Sequence, residues 1–221
     1  MIKPRPNFIQ SLGFTMIELL IVISILGFLA VAVLAAINPI EQINRGKDTG
    51  SRSDAEQLLS AMDRFYSANG YYIWQTGVTD TNTATSANGN SAASPGAPAL
   101  FDSTTAPASA VFGAMTAGCT WEEKLTSPVN PGCPGANELK TSFTTRVMDP
   151  VNYNTLLVYN RGQQGDSTYL CFQPKSKQFR DEASTRCGDA AGAGLPVDLR
   201  TIGATLCAGY GGAGVIYSCL P

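Results

Sequence analysis

Between Leu19 and Ile37 the chain runs for 19 residues without a charge, and Ser24 is the one polar side chain in that stretch. At about 1.5 Å rise per residue, with ~20 residues needed to cross the hydrocarbon layer, such a segment just spans a bilayer as a helix. A carboxylate, Glu18, stands at its head. A charge at the margin of a span is costly, and it points to a function and a partner. In front lie Met1 to Gly13, which contain Lys3 and Arg5 and no acid. A secretory signal places its apolar region before the cleavage site and loses it on cleavage. Here a short basic leader ends in Gly13 and the apolar region follows.

The run Gly13-Phe14-Thr15-Met16-Ile17-Glu18-Leu19-Leu20-Ile21-Val22, with Ile25-Leu26-Gly27 behind it, resembles the N-terminus of the type IV prepilins and their pseudopilin relatives. Met16 stands where that family usually has Leu, a swap that conserves volume. The resemblance covers roughly residues 1–72 and is only architectural beyond them. It implies cleavage after Gly13 by a prepilin peptidase, N-methylation of the new terminal Phe14, and retention of the apolar helix. The implied fold is α+β and pilin-like. A long N-terminal helix, half transmembrane and half amphipathic, packs on a small antiparallel β-sheet head with long loops.

The implied function is that of a structural subunit, not an enzyme, which polymerises through its N-terminal helix into a type IV pilus-like surface filament. The alternatives are a pseudopilin of a type II secretion system, forming a short piston filament, or a minor pilin. A membrane-anchored binding module or enzyme on the same export route is the remaining reading. Implied partners are other copies of the chain and other pilins, the prepilin peptidase, a membrane assembly platform with its cytoplasmic ATPase, and the lipid bilayer before assembly.

The chemistry of the motif can also be argued from its residues. Once Phe14 is the terminus, its α-amino group has an ordinary pKa of about 7.7–8.0 and is mostly cationic at neutral pH. Glu18 is then one helical turn further on. It can meet that amine within one helix, or it can neutralise the amine of a neighbour in a bundle. An unpaired buried charge costs several kcal/mol, so pairing between subunits would reward correct register. The resemblance favours the intersubunit pairing.

Composition narrows the remaining choices. The chain has 221 residues, a net charge of −2 and no histidine. Without histidine there is no Ser-His-Asp or Cys-His catalysis and no histidine metal site or pH switch, and no catalytic residue is assigned. The charge balance lacks the basic face that nucleic acid needs. Lys3 and Arg5 ahead of the span keep the N-terminus cytoplasmic by the positive-inside tendency, so the rest lies outside a single-pass membrane protein. All six cysteines, Cys119, Cys133, Cys171, Cys187, Cys207 and Cys219, fall in that outer part and read as three disulfides. Proximity in sequence suggests Cys119–Cys133, Cys171–Cys187 and Cys207–Cys219. The resemblance adds only that a disulfide often closes a C-terminal loop. A metal site is not expected, because no close Cys-x-x-Cys spacing occurs. No cofactor is implied. Asp181, Glu182, Asp189 and Asp198 are candidate calcium ligands by analogy with some pseudopilins, without EF-hand spacing.

Along the chain, residues 1–13 are the cleaved leader, 14–38 the transmembrane and polymerisation helix, 39–70 its continuation, and 71–221 the head. Pro39 should bend the helix and Gly27 is a second kink point. Asn44 to Asp54 is wholly polar and offers no face for a lone domain to bury. Ala55, Leu58, Leu59, Met62, Phe65 and Tyr66 recur at helical spacing, and Asn69-Gly70 gives a stop. Residues 75–110 are rich in Thr, Ser, Ala, Asn, Gly and Pro and read as a long variable loop. The remainder reads as mainly β and loop: a weak strand from Phe143 to Val147, a hairpin of Asn154–Asn160 with Thr168–Phe172, and a short strand from Val215 to Cys219.

Overall fold

Glu18 and Ser24 are the only polar side chains among residues 16–36 and no proline falls there, so they form one helix, α1 (Met16–Ala36). Among the described residues its side chains from Met16 to Leu34 are all exposed, and apolar side chains lie on every side of it. Gly27 lies inside α1, which runs through it without a break. The computed structural model describes residues 13–36, 38–75, 77–79, 101–102, 121–126, 133, 135–147, 156–163, 165–212 and 214–221. The chain divides into two compact units, Met1–Ile40 and Glu41–Pro221.

α2 (Pro39–Asn69) starts with proline at its first position. There the missing N–H costs nothing, and the fixed φ suits the helix. Pro39 is thus the first residue of α2. Gly70, at φ 76, ends α2, and its N–H donates to the Tyr66 carbonyl at 2.8 Å. A left-handed φ of this kind favours glycine.

β1 (Phe101–Asp102) falls within the expected variable loop. After it come α3 (Trp121–Leu125), α4 (Thr141–Val147), β2 (Leu156–Tyr159), β3 (Tyr169–Phe172), α5 (Lys177–Cys187), a 3-10 turn at Arg200–Ile202, α6 (Gly203–Leu206) and β4 (Ser218–Leu220). The strands form one antiparallel sheet in the order β1-β2-β3-β4. The β2–β3 hairpin is as expected, with Val158 opposite Leu170 and Leu156 opposite Phe172. Two expectations fail. Phe143–Val147 lies in α4, where Thr144 and Val147, three residues apart, are buried and Arg146 pairs with Asp54. Lys177–Cys187, within the part that reads as mainly β and loop, is a helix of 11 residues.

Period-2 alternation divides the sheet between two cores. Leu156, Val158, Leu170, Phe172 and Leu220 join Ala55, Leu58, Ala61, Met62 and Phe65 of α2. Tyr159, Tyr169 and Cys171 face the other way, with Ala183 and Cys187 of α5 and with Leu199, Leu206 and Cys207. Each fully buried large apolar side chain contributes about 1.5–3 kcal/mol against its exposed state. Glycine makes the second core tight: a Cβ at Gly203 would run into the Ala191 carbonyl oxygen.

The disulfides correct two of the proximity pairings. Cys171 bonds Cys219, and Cys187 bonds Cys207. The reason is register: β3 and β4 pair with Cys171 opposite Cys219, their Cα atoms 4.0 Å apart. Cys133 is also disulfide-bonded, and Cys119 lies outside the described residues.

Candidate functional site

Gly13, Phe14 and Thr15 precede α1 in non-helical conformation. Phe14 is 83 % exposed, and a Cβ at Gly13 would meet nothing within 4 Å. The Gly13–Phe14 peptide is thus open to an enzyme. The leader itself, residues 1–12, lies outside the described residues.

Thr15 is the N-cap of α1 and Glu18 its third residue, and together they close a capping box. The Glu18 amide donates to Thr15 Oγ1 at 3.3 Å. The Thr15 amide and hydroxyl donate to Glu18 Oε2 at 2.8 and 2.7 Å. Two orphan amides of the helix start are satisfied reciprocally. The Thr-x-x-Glu spacing that builds this box was present in the sequence, and its capping role went unread there. All three bonds survive loss of the leader, because none uses an atom ahead of Thr15. Among the described residues Glu18 Oε1 receives no hydrogen bond. Glu18 can therefore hold the cap with one oxygen and offer the other to a cation.

A second site, buried, was missed outright. Asp48 is fully buried in the stretch that reads as polar on all sides. Its carboxylate accepts the Lys175 amide at 3.0 Å, the Ser176 amide at 2.7 Å and the Ser176 hydroxyl at 2.6 Å. Glu41, two turns earlier, accepts the Lys177 amide at 2.8 Å. Ser51 and Asp54 are buried as well. The polar run does have an inner face, and hydrogen bonds compensate its burial in place of apolar contact.

The calcium candidates are dispersed. Asp181 pairs with Lys177 and Glu182 with Arg186. Asp189 accepts the amides of Ala191 and Ala193, which hold its carboxyl below the ordinary range. Asp198 accepts the Tyr169 hydroxyl at 2.9 Å. Burial first and that carboxylate second push the Tyr169 phenol up to about 12. Among the described residues no three metal-ligating side chains gather.

A lipid-length helix exposed from Met16 to Leu34 among the described residues, a capped acidic start, and an α+β unit with a small antiparallel sheet together fit the pilin-like class of fold. Residues 10–34 match a family model described as the prokaryotic N-terminal methylation motif, so this segment is similar to the N-terminus of type IV prepilin-like proteins. Proteins with that motif serve structural roles. No curated protein and no solved structure matches the chain significantly.

Proposed function

We propose that the chain is a pilin subunit, cleaved after Gly13 by prepilin peptidase, N-methylated on Phe14, and polymerised through α1 into a type IV pilus-like surface filament. Residues 1–13 are then the leader, 14–38 the polymerisation segment, 39–70 its continuation and 71–221 the head, facing outward. The observation that carries the reading is the methylation-motif match on a helix exposed on every side from Met16 to Leu34. Such a surface needs lipid before assembly and neighbouring helices after it. The free Oε1 of Glu18 is the acceptor for the Phe14 ammonium of an adjacent copy. Other pilins, the assembly platform and its ATPase are the remaining partners. The chain performs no catalysis in this role.

Intact mass spectrometry of material sheared from the cell surface tests the proposal. The expected mass lacks residues 1–13, carries one methyl group, and is short of the hydrogens lost in disulfides. A processed form confined to the membrane fraction would favour a pseudopilin or minor pilin. Full-length protein in every fraction would overturn the processing step.

A further inference from the structure

Within the Glu41–Pro221 unit, the start of α2, the first turns of α5 and the glycine turn at 209–212 surround an open cleft of about 440 Å³. Its charged lining is Glu41, Lys175, Lys177, Arg180 and Asp181. Three cations against two carboxylates leave one positive charge. Lys177 is matched by Asp181 at 2.6 Å. Arg180 donates one Nη2 to the carbonyls of Gly212 and Gly214 at 3.1 and 3.4 Å, which holds the guanidinium against the cleft wall with donors to spare. The exposed Lys175 ammonium has no hydrogen-bond or ion-pair partner among the described residues. An unpartnered ammonium and an anchored guanidinium lining one cleft supply the donor set for a phosphate diester.

Covalent geometry ties this cleft to a membrane surface. Glu41 follows Ala36, the end of α1, by five residues. A chain spans at most ~3.3–3.6 Å per residue, so Glu41 stays within about 18 Å of the end of α1. The headgroup layer outside the hydrocarbon adds several Å of reach. On the same first turns of α2, Ile43 is 59 % exposed and suits the apolar side of that layer.

We propose that the cleft binds the phosphodiester headgroup of an anionic membrane phospholipid. Lys175 and Arg180 take the phosphate oxygens, and Glu41 and Asp181 accept from headgroup hydroxyls. The lipid seats the unit on the bilayer and is released when α1 leaves the membrane for a filament. The inference rests on α1 as a membrane span.

The test is hydrogen exchange on the full chain in nanodiscs of phosphatidylcholine alone or mixed with phosphatidylglycerol. The expected result is slower exchange at residues 175–181 and 209–214 only where phosphatidylglycerol is present. Lys175→Gln should raise the phosphatidylglycerol fraction needed by about fivefold, as expected for one cation near an anionic surface, and Lys175→Arg should restore it. The substitution is at an exposed side chain, and the backbone bond from Lys175 to Asp48 is untouched by it. Equal protection in both lipids, or no effect of Lys175→Gln, would overturn the proposal. Equal protection of the detergent-solubilised chain by inorganic phosphate would assign the cleft to free phosphate instead. Failure of the chain to enter nanodiscs would defeat the membrane reading of α1, a result seen in the elution profile before any exchange is measured.

Discussion

At the scale of single residues, Glu18 combines two roles that substitution can separate. Glu18→Gln keeps an acceptor for the Thr15 cap and removes the charge; Glu18→Ala removes both, at a cost of about 1 kcal/mol to the helix start. Both variants should be processed after Gly13, and both should give few filaments in sheared material. Wild-type filament yield from Glu18→Gln would reduce the residue to a cap. Asp48 is a stricter case. Asp48→Ala would leave the Lys175 amide and both Ser176 donors buried without an acceptor, for a loss of about 3 kcal/mol or more. Asp48→Asn should lose less, because it keeps one carbonyl oxygen. Urea denaturation of the detergent-solubilised chain separates the two. The Glu18 cap was legible in the sequence, since both partners lie within one turn. Asp48 was not, since its partners come 127 and 128 residues later.

At the scale of elements, the cysteines show what proximity in sequence misses. Cys171 is nearer to Cys187 along the chain, yet strand register sets it opposite Cys219. Non-reducing peptide mapping should recover Cys171 linked to Cys219 and Cys187 linked to Cys207, and a Cys171–Cys187 peptide would contradict the fold. By loop length, removing the Cys187–Cys207 bond should cost about 3 kcal/mol and removing Cys171–Cys219 about 4. α4 teaches a related lesson. Phe143, Thr144, Thr145 and Val147 have strand-forming composition, yet as a helix they bury Thr144 and Val147 together. Strand propensity is context, and here the context was tertiary.

At the scale of the whole molecule, stability should fall off at both ends of the pH range. Hydrogen bonds from Arg161 hold the Asp166 carboxyl below its ordinary 3.8, and backbone amides do the same for Asp189. Their contribution is complete above about pH 4 and is lost as pH falls through the lowered folded values. Tyr169 has the opposite sign. Its phenol, raised from 10.0 to about 12, contributes fully below pH 10 and loses that contribution as pH rises towards 12. Thermal melts of the solubilised chain across pH should show both limbs. Tyr169→Phe and Asp166→Asn should each flatten only its own limb, with tyrosinate absorbance following the first.

What the sequence determined by itself is what local spacing can carry: the charge-free run that forms α1, the Thr15–Glu18 cap, the proline at the head of α2, the apolar stripe from Ala55 to Phe65, the glycine stop at Gly70, and the β2–β3 hairpin. Each depends on atoms a few residues apart, or on a periodicity repeated within one element. Tertiary structure alone decided the cysteine pairing, the helical state of α4 and α5, and the burial of Asp48. In these, one partner lies far along the chain, and the free energy that fixes the choice exists only once the sheet and α2 have come together.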